Sequence, residues 1–350
     1  MFPLGVNLTP IIVKEIIQLQ SLRGRSLAVD ANNMLYQFLA LMRTRDGTPL
    51  KDSRGNITSH LAGLMFRTTR LMHDYDINLI FAFDGKPSPL KEAELSKRRK
   101  VREKATTEWK RAMEAGDYAT AFSKAIMTSR LTNPMVEDAK RLLELLGIPF
   151  VQAPSEAEAQ TAYMAMRGDV WASNSRDYDS LLFGTPRLVR YLTISGREFL
   201  PSKGISRPLK PELINLNELL THHIISRDQL IDLAILIGTD FNEGIKGIGP
   251  KTALKLLKEC GRLESLPGKF RSKMPRHYKE VRETFLSPKV TSAYTFQYND
   301  LQEEKLYGFL CDQRDFSRSR VKTAIERAQK FHSKKKQVGL KKWLPRRRRR

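Results

Sequence analysis

Cysteine is nearly absent. Cys260 and Cys311 are the only two in 350 residues. Two thiols cannot build the disulfide framework of a small secreted scaffold, and they suit a reducing cytosol. Histidine is scarce as well, with six in the chain and no Cys/His group at zinc spacing, which argues against zinc-site classes. No apolar run approaches the roughly 20 residues of a membrane helix. The start, Met1-Phe2-Pro3-Leu4-Gly5, lacks the basic and long apolar regions of a signal peptide. The expectation is a soluble, cytoplasmic protein with no membrane partner. Acid is the minority charge: 38 Asp and Glu face 61 Lys and Arg, a net +23. Such a chain is drawn to polyanions, of which nucleic acid is the usual one. Residues 334–350 hold ten of the basic residues and no acid, so residues 1–333 keep +13 and the body is basic by itself.

Where the few acids fall is therefore informative. Ser26-Leu27-Ala28-Val29 leads into Asp30, and Leu79-Ile80-Phe81-Ala82-Phe83 leads into Asp84. Val170-Trp171-Ala172 precedes Asp177. Short apolar runs of this kind read as buried strands of a parallel sheet. In an open α/β sheet the ligand crevice lies beyond the carboxyl ends of the strands. Asp177 and Asp179, two apart, would share one face of an extended segment. Glu156, Glu158 and Asp240 complete a set of seven. All but Asp240 have an ordinary alternative. Asp30 and Asp84 could cap loops, Asp177 and Asp179 could form an acidic turn, and Ser155-Glu156-Ala157-Glu158 reads as a capping box. The metal reading rests on recurrence, because carboxylates collected on one edge repel unless a cation neutralises them. Hard oxygen donors point to Mg²⁺ or Mn²⁺. Two such ions about 4 Å apart are a device for phosphodiester cleavage. An acidic metal pocket in a basic body suggests a nuclease.

Along the chain, residues 33–42 and 60–73 read as helices between the first strands, which is β-α-β alternation and an α/β fold. Residues 86–130 hold twelve Lys or Arg against six acids and few large apolar residues. They read as a solvated or mobile helical excursion, and the basic helix 91–111 favours polyanion contact. A helix at 136–146, a strand at 148–151 and a helix opened by Ser155 follow. Residues 200–212 read as a Pro/Gly-rich loop. Residues 226–238 form an apolar helix, and 252–258 another. Between them Lys246, Gly247, Gly249 and Lys251 make a Gly-x-Gly turn whose backbone N–H groups suit a phosphate; a tight turn between packed helices is the plain alternative. Tyr36 reads equally as core packing.

These motifs resemble the archaeal flap endonucleases, structure-specific 5′ nucleases of replication and repair. The resemblance is carried by Ala28-Val29-Asp30-Ala31, Phe83-Asp84-Gly85-Lys86-Pro87, Ala153-Pro154-Ser155-Glu156-Ala157-Glu158-Ala159, Asp177-Tyr178-Asp179-Ser180-Leu181-Leu182-Phe183-Gly184, and Gly238-Thr239-Asp240 with Gly244-Ile245-Lys246-Gly247-Ile248-Gly249. It runs from Gly5 to the C-terminus. It implies an α/β fold with a central, mainly parallel sheet, a helical arch over 86–130 and a helix–two-turn–helix grip near 226–258. One nuclease domain would cover 1–332, with parts 1–110 and 136–270, ahead of a flexible basic tail at 333–350.

The resemblance implies that Asp30, Asp84, Glu156, Glu158, Asp177, Asp179 and Asp240 hold two Mg²⁺ ions, Mn²⁺ being a substitute. It puts Lys91 and Arg98 at the scissile phosphate, Tyr36 on a base near the cut, and Arg43 and Arg67 on duplex. The Gly247 turn would grip downstream duplex, with a monovalent cation. Gln337, Leu340, Trp343 and Leu344 resemble the peptide that plugs into the sliding clamp, the three apolar residues sharing a helical turn; the alternative is a disordered basic tail. The expected activity is hydrolysis at the base of 5′ flaps in Okazaki-fragment maturation and base-excision repair, with 5′-3′ exonuclease side activity. The expected state is a nucleoid-associated monomer. Rivals are a four-way-junction resolvase or 5′ exonuclease, a noncatalytic DNA binder, and an RNA-processing nuclease. The chain departs from the family in Met1–Leu4 ahead of Gly5, in Arg176 before Asp177, in Phe241 where Tyr is common, and in the Arg346–Arg350 run.

Overall fold

The computed structural model describes residues 5–44, 47–192, 196–200 and 205–343, without the side chains of 196–200, 205–208 and 337–343. Strands are β1 (Glu15–Ile16), β2 (Ser26–Asp30), β3 (Asn78–Phe83), β4 (Phe150–Gln152), β5 (Ala172–Asn174), β6 (Arg187–Arg190), β7 (Gly196–Leu200), β8 (Ile205–Leu209) and β9 (Glu212–Asn215). Helices are α1 (Ala31–Leu41), α2 (Ser59–Tyr75), α3 (Glu92–Glu114), α4 (Tyr118–Met127), α5 (Asn133–Leu145), α6 (Ala157–Met166), α7 (Asp179–Leu182), α8 (Leu216–His223), α9 (Arg227–Ile237), α10 (Pro250–Cys260), α11 (Gly268–Arg271), α12 (Tyr278–Leu286), α13 (Glu303–Tyr307) and α14 (Arg318–Trp343).

One sheet has the order β1-β9-β6-β5-β2-β3-β4. β6, β5, β2, β3 and β4 run parallel, β9 turns back on β6, and β1 pairs antiparallel with β9. Apart from Ser26, Asp30 and Asn78 at their ends, β2 and β3 are apolar because both sheet faces are covered. Alternation divides their side chains. Leu27, Val29, Leu79 and Phe81 point into a core built with α1, α2, α5 and α14, while Ala28, Ile80 and Ala82 face α6. A further core on α7–α10 and α12, around Leu181, Leu233, Ile235 and Phe285, supports the Asp240 end of the site.

Residues 86–130 fold into an antiparallel helical pair, α3 and α4. Their seam is made of Ala105, Ala112, Ala121 and Ala125, all buried. Small residues let the two backbones approach, which is why the sequence offers so thin an apolar face. Other expectations need correction. The loop expected at 200–212 is replaced where the residues are described: Ile205–Leu209 is β8, paired antiparallel with β7, and β9 begins at Glu212, while 201–204 lie outside the described residues. The strand expected at 148–151 starts at Phe150, since Pro149 has no N–H to give the ladder. The tail expected from 333 is no break either, because α14 continues through Trp343. It carries the backbone of Gln337, Leu340 and Trp343. Met1–Leu4, Leu344 and Arg346–Arg350 lie outside the described residues.

α1 and α2 close on each other at Gly63, where a Cβ would stand 2.1 Å from Phe38 Cγ. Gly63→Ala sets a helix-propensity gain of about 1 kcal/mol against overpacking of about 1–3 kcal/mol. Phe38 is 1% exposed and cannot retreat. A net loss of up to about 2 kcal/mol in urea unfolding is expected; a stabilised variant would show that the ring has room.

Candidate active site

The parallel strands deliver the acids to one edge. Asp30 ends β2 and caps α1, its Oδ1 accepting the Asn33 N–H at 2.9 Å. Asp84 follows β3, and its Oδ1 accepts the Ala157 N–H at 2.8 Å. That contact corrects the capping-box reading of Ser155–Glu158. α6 begins at Ala157 with Glu156 as N-cap and no side-chain cap of its own, because Asp84 from a neighbouring strand takes the exposed N–H. Asp177 accepts from Asn33 Nδ2 at 2.6 Å. Asp179 is the first residue of α7, so the pair does not lie on an extended segment as expected; Tyr178 between them is helical. Asp179 Oδ1 accepts the Val6 N–H at 2.8 Å. Glu158 accepts from Ser180 Oγ at 3.3 Å. Asp240 lies in the turn after α9, where Arg98 reaches its Oδ1 at 2.5 Å and Lys91 its Oδ2 at 3.4 Å. Lys91 also pairs with Glu156.

The electrostatics follow from crowding. Burial, then Asp84, Asp177 and Glu156, raise Asp30 well above the usual carboxylate range. Glu158 is raised likewise by burial and by Asp179, Asp30 and Asp177. Burial and Asp179 lift Asp177 to about 8, with Arg176 and Arg190 opposing. Burial and Asp240 lift Asp179 to about 7. Asp84 is lifted to about 6 by desolvation and Glu156; as Asp84 is solvent-exposed, the like charge is the firmer cause. Asp240 goes the other way. Burial pushes it up, but Lys91 and Arg98 outweigh that and hold it below the ordinary value.

Only oxygen donors meet here, which suits a hard divalent ion. Asn32, whose amide supports the Asp84 carboxylate, leaves its Oδ1 buried without a hydrogen-bond partner, as expected beside an ion or its water. Among the described residues no three acidic, histidine or cysteine side chains form a ready-made cage; Glu156 and Asp240 are turned to Lys91 and Arg98. The donor set fits divalent ions, with these two cations as the present countercharge.

A cavity of about 510 Å³ lies between the arch and the acids, lined by Tyr36, Asp84, Lys91, Arg98, Val101 and Glu156 among others. Tyr36 thus faces the cavity. Arg43 is half-buried, and its guanidinium donates to Leu39 O, Gly47 O and Ser129 Oγ, bracing α1 against the end of the arch. Arg67 is half-buried on α2, lowered by desolvation and by Arg70. Beyond α9, Ile245 and Ile248 are buried while Lys246 and Gly247 are exposed. Gly247 has φ +87°; Gly249 caps α10, with Pro250 and Lys251 opening it. These residues form a surface turn apart from the acids.

Sequence reasoning did not find Asn33, which ties Asp30 to Asp177, nor Gln37, which donates to Asn33 Oδ1 at 2.5 Å. Their spacing of three and four from Asp30 and Asn33 on one helix was the available signal. Nor did it find the roles of Val6 and Phe241. Lys91 Nζ lies 5.1 Å from the Phe241 ring, which is 2% exposed in a wall with Phe285. Arg176 stacks 5.9 Å from the Tyr191 ring.

Two family models match: the XPG N-terminal domain over residues 6–105 and the XPG I-region over 147–240, together more than half the chain. Fold and site thus define an XPG-class protein. Flap endonuclease 1 of Pyrococcus abyssi is 48% identical over 97% of this chain and 98% of its own. That of Pyrococcus furiosus is 48% identical over 98% of this chain and 100% of its own. The solved flap endonuclease-1 from Methanococcus jannaschii is 42% identical, spans 95% of this chain and 100% of its own, and superposes with a TM-score of 0.75. The catalytic core of Rad2 in complex with DNA substrate shares the fold at 22% identity and TM-score 0.66. The chain belongs to the flap endonuclease 1 family.

Two predictions follow from the site's geometry. Without divalent ions the folded protein keeps protons on the buried Asp179 and the half-buried Asp177 up to about pH 7 and 8, whereas unfolded carboxylates lose theirs near pH 4. The folded state binds the extra protons, so stability falls as pH rises through that window. The melting temperature in EDTA should drop from about pH 4 to about pH 8 and recover with Mg²⁺. A rise with pH would mean the acids ionise unaided. At Gly5 (φ +74°) a Cβ would stand 2.6 Å from Asp179 Oδ1. Gly5→Ala should slow single-turnover cleavage about tenfold or more, well beyond what the modest drop in melting temperature from a side chain at positive φ would bring. An unchanged rate would make the Val6 contact dispensable.

Proposed function

We propose that the chain is a divalent-metal-dependent 5′ flap endonuclease that hydrolyses a phosphodiester at the base of the flap, with a 5′-3′ exonuclease side activity. The observation that carries this is the cluster of seven carboxylates, two of which, Asp84 and Glu156, line a cavity beneath a basic helical pair. Divalent ions held by Asp30, Asp84, Glu156, Glu158, Asp177, Asp179 and Asp240 would supply an activated water and neutralise the leaving oxygen.

The chain's own residues do the rest. Lys91 and Arg98 exchange their carboxylate partners for the scissile phosphate and stabilise the charge that develops there. Phe241 is the apolar wall against which Lys91 stands. Tyr36 offers a ring to a base beside the cut. Arg67 and Arg43 serve the duplex, the second partly by bracing the arch. Lys246, Gly247, Gly249 and Lys251 hold backbone phosphates of the downstream duplex, with a monovalent cation at that turn. Single-stranded 5′ ends enter beneath α3 and α4. Gln337, Leu340, Trp343 and Leu344 dock the enzyme on the sliding clamp, which suits work on Okazaki fragments and base-excision repair in the cytoplasm. The free enzyme is a monomer in this reading.

The test is a denaturing-gel assay on 5′-labelled double-flap DNA with Mg²⁺ or EDTA. A single Mg²⁺-dependent product at the junction is expected. Asp179→Ala should lower the rate by about 10³-fold or more yet bind the same DNA, because the acid serves the metal rather than the duplex. Tight binding without cutting by the wild type would leave a noncatalytic binder; a ladder of short products would leave a 5′ exonuclease.

A further inference from the structure

Behind the Asp177–Asp179 turn lies a buried cation that has no role in the function proposed above. Arg190 ends β6 and is the cross-strand partner of Glu212 on β9. It is 7% exposed, and arginine is rarely buried so far unless its donors are answered. Here they are. Nε donates to Arg176 O at 2.7 Å. One terminal nitrogen donates to Tyr178 Oη at 2.6 Å and to Glu212 Oε2 at 2.9 Å. The other donates to Tyr191 Oη at 3.0 Å. The guanidinium also stacks 4.0 Å from the Tyr178 ring centroid.

Two of these contacts grip the segment that carries the acids. Arg176 precedes Asp177, and Tyr178 separates Asp177 from Asp179. The socket is itself anchored: Lys14 holds Glu212 at 2.5 Å, and Tyr178 Oη is 3.3 Å from Thr9 Oγ1. Tyr191 is held at φ +58°, a left-handed conformation that a tyrosine keeps only where its surroundings over-determine it. A simple ion pair would account for Glu212 alone. It would not account for a carbonyl, two phenols and a stacked ring, all converging on one guanidinium beside two carboxylates that repel each other.

We propose that Arg190 is a positioning residue, its guanidinium locking the 176–179 turn and with it the placement of Asp177 against Asp179. The inference rests on the reading that this pair holds divalent ions. It predicts that the fork matters as well as the charge, because lysine is a point charge and cannot bond carbonyl, carboxylate and phenol together.

The test uses the full chain in two variants. Arg190→Lys keeps the cation and Glu212's partner but loses the fork; Tyr178→Phe keeps the ring and loses only the hydroxyl. Mn²⁺ binding by calorimetry, half-saturating Mg²⁺ for flap cleavage, flap-DNA binding in EDTA and melting temperature are measured. Arg190→Lys should weaken Mn²⁺ binding and raise half-saturating Mg²⁺ about tenfold or more, with DNA binding in EDTA unchanged. Tyr178→Phe should move both metal readouts the same way by about two- to threefold, and it carries the test should Arg190→Lys fail to fold. Folded variants with wild-type Mn²⁺ affinity and only a lower melting temperature would reduce Arg190 to a structural staple and overturn the inference. Wild-type protein that takes up no Mn²⁺ would instead overturn the metal reading beneath it.

Discussion

Mutual repulsion among carboxylates is the constraint to which the rest of this molecule answers. Parallel strands end on the same side, so β2, β3 and β5 carry Asp30, Asp84 and the Asp177–Asp179 turn to one edge. Helices then begin where the strands stop. Asp30 caps α1, Asp84 takes the first N–H of α6, and Asp179 opens α7. Asp30 and Asp84 thereby meet the positive end of a helix, which softens the cost of gathering them. Lys91 and Arg98 reach Glu156 and Asp240 from α3 and the turn before it. From behind, Arg190 ties the turn that holds two of the acids.

The same constraint explains how an acidic pocket lives in a strongly basic chain. Its cations come from elements outside the sheet, Lys91 from the turn before α3 and Arg98 from α3 itself. The arch is held together by an alanine seam and joined to the body through contacts such as Arg43 with Ser129. The Asp240 side is stiffer, because Phe241 is buried against Phe285, and His277 reaches the Phe241 carbonyl. A cationic roof thus stands over an acidic floor, and Lys91 and Arg98 neutralise part of the charge that the gathered carboxylates bring.

Much of this was legible in the chain. Apolar runs ending in Asp located β2 and β3 because strands buried on both faces leave little freedom of composition. The apolar run at 226–238 located α9, which starts with a Ser226–Gln229 capping box that sequence reasoning did not single out. The equivalent signal at Ser155 misled. There the helix N-terminus was satisfied by Asp84, a residue from another strand, and no local rule contains that competitor. The Asp177–Asp179 spacing misled for a similar reason, since alternation along a strand applies only if the segment is extended. The pairing of β7 with β8 was hidden by a composition that suits loops and edge strands alike.

The sequence by itself determined the class of fold, the identity of the acids and the excess of positive charge, because periodicity, residue type and net charge are properties of the chain in any conformation. Tertiary structure alone decided which groups answer which. That Asn33 links Asp30 to Asp177, that Val6 supports Asp179, that Phe241 backs Lys91 and that Arg190 is buried behind Tyr178 are facts of approach between segments as much as 173 residues apart. A chain specifies such contacts only through the packing of its whole core.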